Sequence, residues 1–463
     1  MPVKPSGAVA PSSRRIDHVV IIGAGFSGSL QAINLLRHEG PRATLIERRP
    51  HVGRGVAYSA AHPDHLLNVR AERMSALPDD PDHFVRWLRQ NGRAPDGFVS
   101  RITYGDYLRD LLDEAAARSK GRLAIRTGEA LDILFEADRA TVVMDDGSRI
   151  DADAVVLALG NLLPHELPAV AGAGLAGDVY MPDPWAADIA DGLDDNDVVL
   201  AIGSGLTMVD VALLLAARGF GGRTIAISRR GLMPRAHAVT AAAPSNLTKR
   251  PTLEPAELLR FVRRRAGTVG WHNAVDELRP YTQSMWLAAS LEHRARFLRH
   301  LRPWWDVHRH RLAPGIAGKV QDMMSAGSLR TLAGKIVAIE PDGRGARVIW
   351  RPRGADDVQT MRVRRIVNCS GPQGDLTRTA EPLLRRLLAR ALIRPDVHHL
   401  GMDVNQQSEV IAQDGTANPR LLALGPMTRG AFWEIVAVPD IRVQTWSVAR
   451  RLSNAHWVEG EGL

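Results

Sequence analysis

Three glycines, Gly23, Gly25 and Gly28, stand between a β-branched run and a helical pattern. The run is Val19 to Ile22, and Phe26, Leu30, Ile33 and Leu36 then recur at helical spacing. Such a turn has a specific use. The first glycine permits a tight turn, the second lets a pyrophosphate approach the backbone, and the third lets the helix close on the strand. The helix N-terminus, here with Phe26 and Ser27, then faces the phosphates. Glu47 ends the next strand, "ATLIE", 19 residues beyond Gly28, and Arg48 follows it. A carboxylate at that distance accepts from ribose hydroxyls. Strand, turn, helix and acid are in register, so these residues predict a dinucleotide site.

A second turn of the same form begins at Gly203, 180 residues after Gly23. It comprises Gly203, Ser204 and Gly205, with Leu206 and Thr207 opening the helix. Met208 replaces the third glycine, which predicts a helix set further from its strand. The following strand, "TIAIS", ends on Ser228, Arg229 and Arg230, with no acid. Arginine there suits a 2′-phosphate, hence NADPH over NADH, although solvated surface charge is the competing reading. An acid-ended site followed by a basic-ended one suggests FAD first and a nicotinamide second, with the flavin reduced by hydride.

The third chemical stretch is "LRPWWDVHRHRLAP", Leu301 to Pro314. On a helix, Trp304, His308 and Arg311 share one face, and Trp305, Arg309 and Leu312 the adjacent one. Aromatic and guanidinium groups together suit a flat anion or a nucleotide phosphate. Core tryptophans with paired arginines are the competing reading. Trp305, Arg309 and His308 are the catalytic candidates, His308 because imidazole titrates near neutrality. Asp306, His308 and His310 predict no metal site, because side chains two apart on a helix diverge and no cysteine or HxxxH pair stands nearby.

These residues must be positioned by more than one core, since the chain has 463 residues. The expected fold is α/β, with two Rossmann-like dinucleotide-binding domains and a helical insertion associated with the second. The expected boundaries are 1–195 for the first part of the FAD-binding domain, with 1–15 disordered, and 196–330 for the nicotinamide domain, with the basic, tryptophan-rich insertion at about 234–326. Residues 331–463 would complete the FAD-binding domain. "ATVVMDDGSRIDADAVVLALGN" reads as a hairpin and a buried strand ending at Gly160. "GARVIWRPRG" and "MRVRRIVNCSGP" repeat that sense and end by Gly371, and "RLLALGP" brings Gly425 and Pro426 before a terminal helix.

Composition narrows the class. Apolar content is 45% and charged content 24%, ordinary for a soluble protein. No run approaches the ~20 apolar residues that span a bilayer. The single cysteine, Cys369, removes internal disulfides and dithiol redox chemistry, and fits a reducing cytoplasm. Cys369 itself reads as core. Net charge is +8, and Lys249 to Arg311 alone holds 13 basic and 6 acidic residues, a net of +7. A local basic field predicts an anionic partner.

Several stretches together resemble a known family: "GRGVAYSAAHPDHLLNVRAERMSALPDDPDHFVRWL", "ITYGDYLRDLL", "LALGN", "GSGLTMVD", "SRRGLMPRAH", "LRPWWDVHRHRLAP", "NCSGP" and "LGPMTRGAFWEIVAVPDIRVQ". They are similar to the bacterial FAD/NAD(P)-binding proteins that include an FAD-dependent urate hydroxylase, over about Asp17 to Arg451. The resemblance implies a two-dinucleotide flavoprotein of monooxygenase type, in which NAD(P)H reduces FAD and oxygen adds as a C4a-hydroperoxide. It implies a small anionic substrate, with urate to 5-hydroxyisourate as the specific expectation, and N-hydroxylation of an anionic amine or acidic amino acid as the alternative. It places Arg54, Asn68 and Met74 in a segment that wraps the flavin, where Asn68 would bond the ring or substrate, or cap a helix. Trp433 and Glu434 would line the pocket over the ring, or be a packed Trp and a surface Glu. One departure is Pro426, where flavoproteins commonly place Asp; backbone N–H groups near Ala437 to Asp440 are the expected substitute. From another class, an RNA-associated flavoprotein is suggested by the basic, aromatic stretch, although no nucleic-acid module is recognisable and no nucleic-acid partner is expected. Oligomeric state is left open.

Overall fold

A computed structural model describes residues 15–37, 40–59, 62–136, 138–185, 188–238 and 247–453. The disorder expected for 1–15 falls outside these residues, apart from Arg15. Two sheets organise the chain. The first has six strands, in the order Glu409–Ile411, Ala417–Ala423, Ala154–Leu157, His18–Ile22, Arg42–Glu47 and Leu123–Thr127. All neighbours are parallel except the first pair. Its central strand is covered on both faces. Val19 and Ile21 point into one core, with the helices Phe26–Arg37, Arg101–Arg118 and Val438–Leu452. Val20 and Ile22 point into the other, with a small antiparallel sheet and the helix Pro382–Ala389. Two-sided burial is why "HVVII" reads as a continuous apolar run and not an alternating one.

The helix Phe26–Arg37 is buried at every residue but Arg37. Its sequence allows this, because Ser27, Gly28, Ser29 and Ala32 leave room for close neighbours.

The second sheet has seven strands, in the order Gln359–Val363, Gly345–Pro352, Leu329–Asp342, Arg223–Ser228, Val198–Ile202, Arg365–Asn368 and Tyr180–Met181. This corrects the domain boundaries. The chain was expected to return to the first domain at 331, yet the strands from Leu329 to Asn368 complete the second sheet. Tyr180–Met181, expected in the first domain, forms its edge. The cause lies in Leu329–Asp342, whose first residues pair parallel with Arg223–Ser228 and whose remainder pairs antiparallel with Gly345–Pro352. A hairpin pattern shows that two strands pair; it does not show which sheet they extend.

The insertion is helical as its periodicity predicts, with helices Pro255–Asp276, Thr282–Ala288, Leu291–His300, Arg302–Arg309 and Pro314–Ser325. Residues 239–246 lie outside the described set. Trp286 and Phe297 of the insertion pack with Trp433 of the returning chain, so the insertion is anchored to the first domain. Cys369 is buried in the second core, and burial pushes its thiol up, which fits a core residue. Among the described residues no helix is long and apolar enough to cross a membrane.

Candidate active site

A cleft of about 440 Å³ opens at the C-terminal ends of the first sheet, where His18–Ile22 is flanked by strands on opposite sides of the chain order. Ligands of open α/β sheets bind at such a point. Gly23, Gly25, Phe26 and Ser27 form one wall. Gly23 has φ +99°, and a Cβ there would lie 2.4 Å from the carbonyl oxygen of Ala158. A Cβ on Gly28 would lie 1.8 Å from the carbonyl oxygen of Gly23. Gly28 therefore does not line the cleft; it lets the helix close on the turn. A Cβ on Gly25 would meet only Gly55 Cα, at 3.6 Å, and would otherwise project into open space.

The opposite wall carries charge. Glu47 accepts from the backbone N–H of Ala24 at 2.8 Å and of Arg49 at 3.1 Å, which fixes its carboxylate at the cleft mouth. Arg48 lines the cleft but pairs with Glu381 at 2.7 Å and Glu129 at 3.1 Å, tying the returning chain to the first strands. Arg54 donates through Nη2 to Asp106 at 2.8 Å, while its Nε is buried with no acceptor. A buried donor without a partner is unfavourable, and a phosphate oxygen in the cleft would satisfy it. The open space at Gly25, the orphan Arg54 Nε and the fixed Glu47 together fit a dinucleotide.

At the last strand end, Gly425 donates its N–H to Gln444 Oε1 at 2.8 Å, and Pro426 faces the cleft. Val436, Val438 and Ile441 join it there, so the first turn of the terminal helix stands where Asp was missing.

The second turn repeats the first. Gly203 donates to the carbonyl of Ile227 at 2.8 Å, as Gly23 does to Ile46 at 2.8 Å. Ser204 Oγ bonds Ser228 Oγ at 2.8 Å and the Leu232 carbonyl at 2.5 Å, bracing the loop that carries Arg229 and Arg230. Arg229 is exposed, Arg230 is half-buried, and neither has an ion-pair partner among the described residues. Gly205 precedes the helix Leu206–Ala217 and faces open space. Leu206, Thr207 and Gly371 reach the first cleft, as does Gly160 from the other side. The tip of the second nucleotide helix therefore points into the first dinucleotide site.

Other expected site residues lie elsewhere. Met74 is buried in the first core, and the Asn68 carbonyl takes the His237 ring at 2.9 Å; neither lines the cleft. The expected catalytic wall is turned inward. Trp305 Nε1 donates to Glu434 Oε1 at 3.0 Å and Arg309 Nε to Glu434 Oε2 at 3.2 Å. His308 packs edge-on against Trp271, and burial lowers its pKa, so it is not placed as a base for the cleft. Arg311 bonds Asp276 at 2.9 Å and the His308 carbonyl at 2.6 Å. Glu434, expected at the surface or over the flavin, is a buried carboxylate: burial pushes it up, but Arg309 first and then Arg279, His310 and the Trp305 N–H outweigh this and hold it below its usual range. The desolvation of so many charges is tolerable only because they pair with one another. Sequence reading missed Arg101, Asp210 and Trp185, all of which line the cleft. Asp210 ends the quoted "GSGLTMVD" and Arg101 precedes "ITYGDYL", but nothing local shows that the two meet.

Residues 20–162 match the protein family described as FAD-NAD(P)-binding. This segment is similar to FAD-NAD(P)-binding units. It contains both cleft walls built by the first fingerprint. Solved structures extend the likeness to the whole fold. An ornithine hydroxylase from Pseudomonas aeruginosa is 15% identical, with 95% of this chain and 98% of that chain covered and a TM-score of 0.64. An L-lysine 6-monooxygenase from Pseudomonas syringae is 16% identical, with 95% and 99% covered and a TM-score of 0.64. An FAD-bound cadaverine monooxygenase from Erwinia amylovora is 12% identical, with 95% of both chains covered and a TM-score of 0.65. At these identities the likeness is one of fold: the chain has the two-dinucleotide fold of flavin-dependent oxidoreductases. A curated relative, a 3-dehydro-bile acid delta(4,6)-reductase from Clostridium scindens, is 25% identical over 160 residues. That match spans 31% of this chain and 39% of the reductase.

Proposed function

We propose that the protein is an FAD-dependent, NADPH-oxidising monooxygenase that hydroxylates the nitrogen of a small amine or amino acid with molecular oxygen. One observation carries the reading: Leu206 and Thr207 of the second nucleotide helix enter the cleft built by the first fingerprint. Two dinucleotide sites that open into one another suit hydride transfer between their ligands. Bound FAD would accept hydride and activate oxygen. The chain's own residues bind and orient. The Gly23–Gly28 turn and the first turn of its helix receive the pyrophosphate, Glu47 the ribose, and Arg54 Nε a phosphate oxygen. Arg229 and Arg230 receive the 2′-phosphate. Tyr58 lines the cleft with its phenol pushed up to about 12 by burial, so it stays protonated and offers a hydroxyl donor.

Nitrogen as the acceptor is supported by the solved structures of similar fold, which are named for ornithine, lysine and cadaverine. Urate loses the stacking wall that favoured it, because Trp305 and Arg309 are engaged by Glu434. The RNA reading is weakened by the same inward turn: Arg265, Arg279, Arg309 and Arg311 of the basic segment all face carboxylates.

The test is purification with a check for bound flavin, followed by NADPH and NADH consumption in air with diamines, basic and acidic amino acids, and urate. Substrate-dependent NADPH consumption matched by hydroxylamine product is expected. Peroxide alone with every amine would refute the monooxygenase reading, and salt-sensitive RNA retention without such turnover would favour the other class. Arg229→Ala with Arg230→Ala is expected to raise KM for NADPH by roughly tenfold or more and leave that for NADH unchanged, since charge-assisted bonds contribute about 1.5–3 kcal/mol. Equal effects on both nucleotides would place the 2′-phosphate elsewhere.

A further inference from the structure

The chain crosses between the two sheets twice, after Leu157 and after Asn368. Something besides these connections must set how the domains face each other. The two ends of the segment 62–101 of the first domain touch the second domain, with Leu66 and Phe98 packed against its core. At its end, Arg101 reaches across and meets Asp210 of the second nucleotide helix with two hydrogen bonds, 2.7 Å through Nη1 and 3.3 Å through Nη2. The Asp210 side chain is 9% exposed and that of Arg101 is 21% exposed, so solvent screens the pair little. His65 completes the junction. Its Nε2 bonds the Asp210 carbonyl at 3.0 Å, its Nδ1 accepts from the His62 N–H at 3.1 Å, and its own carbonyl accepts from the Arg101 N–H at 2.9 Å. Two outer contacts, Lys319 with Asp64 at 2.8 Å and the His237 ring with the Asn68 carbonyl at 2.9 Å, lie farther along the same seam. Lys319 and Asp64 are exposed, and such pairs contribute little.

Asp210 follows Leu206 and Thr207 by four and three residues, so all three share one face of the helix, and all three line the cleft. The group that Arg101 grips is thus on the very face that enters the flavin site. We infer that Arg101 and Asp210 are positioning residues whose ion pair holds the two dinucleotide domains in the orientation that brings the nicotinamide to the flavin. The inference rests on the flavin and nicotinamide reading of the cleft. Hydride transfer is sensitive to ångström-scale misplacement, and a pivot between domains would act on that distance directly. The phosphate contacts at Gly205 and Arg229 would be untouched.

The test needs a readout of domain orientation as well as of chemistry. Cys369 is buried, so Asp113→Cys on the first domain and Thr360→Cys on the second can be spin-labelled selectively in the full chain. In that background Asp210→Asn and Arg101→Gln are expected to broaden the inter-label distance distribution. They are also expected to slow anaerobic reduction of the flavin-loaded fraction by saturating NADPH at least about tenfold. Arg101→Lys, which keeps the charge but not the two-pronged geometry, should fall between, and it carries the test if the neutral variants do not fold. Wild-type distance distributions in these variants would overturn the inference, as would wild-type reduction rates. The distance measurement needs no turnover, so a chain without flavin or NADPH oxidation would refute the proposed function while leaving the clamp to be judged by distance alone.

Discussion

Gly28→Ala is expected to purify without flavin and to unfold at a clearly lower temperature than the wild type. The added methyl would lie 1.8 Å from the Gly23 carbonyl oxygen, 3.0 Å from its carbonyl carbon and 3.2 Å from Ala158 Cβ. The first two are backbone atoms and cannot swing aside. The helix Phe26–Arg37 would have to retreat, yet it is enclosed by the sheet and by the helices Arg101–Arg118 and Val438–Leu452. Overpacking a rigid site costs about 1–3 kcal/mol, and a backbone clash belongs at the upper end. In a domain of this size each kcal/mol lowers Tm by roughly 2–4 °C. Gly25→Ala is the control with the opposite profile. Its methyl meets only Gly55 Cα, at 3.6 Å, so the fold should keep its melting temperature, while the methyl occupies the space the pyrophosphate needs. Thermal melts and the visible flavin absorbance of the two variants, read side by side, check this. Two alanine variants that both keep wild-type flavin content would place the cofactor elsewhere.

Glu434→Ala is expected to have the next largest effect, although Glu434 does not line the cleft. Its carboxylate, 4% exposed, holds Trp305 at 3.0 Å and Arg309 at 3.2 Å, with Arg279 at 3.8 Å. Removing it leaves the Arg309 guanidinium buried without its carboxylate, a change that costs about 3–5 kcal/mol. Arg279 keeps Asp440. The loss should reach the cleft, because Val436 and Val438, two and four residues after Glu434, line it. Lower Tm together with partial flavin loss is therefore expected, and a melting temperature within a degree or so of wild type would show that the network contributes nothing.

The same group predicts an acid response. Glu434 titrates below its unfolded value in the folded protein, with burial opposed and outweighed by Arg309 and its neighbours. Its contribution is then complete above the ordinary carboxylate range, about pH 4.5, and is lost as pH falls through the lowered value. Asp440, pushed up by burial against the pull of Arg279, acts in the opposite sense over an adjacent range. The informative quantity is thus the difference between wild type and Glu434→Gln, which should shrink as the solution is acidified. A difference that stays constant with pH would mean that the charge of Glu434 is immaterial.

Much of the fold and of the first site can be read from local order along the chain. The Gly23 turn, its helix and Glu47 follow from spacing, because each constraint acts between residues a few positions apart or between adjacent strands. The buried strands and the helical insertion follow from apolar periodicity for the same reason. What only the tertiary structure decided are the pairings between distant residues. The hairpin pattern at Leu329–Val363 did not reveal that it extends the second sheet. The Trp305 and Arg309 face did not reveal that its partner is Glu434, 125 residues beyond Arg309, and not a bound anion. Arg101 and Asp210 lie 109 residues apart and meet only because two domains dock. A charged side chain on a helix face carries no local mark of whether it will meet solvent, a ligand or an opposite charge. Packing settles that choice, since desolvation penalises every buried charge that finds no partner.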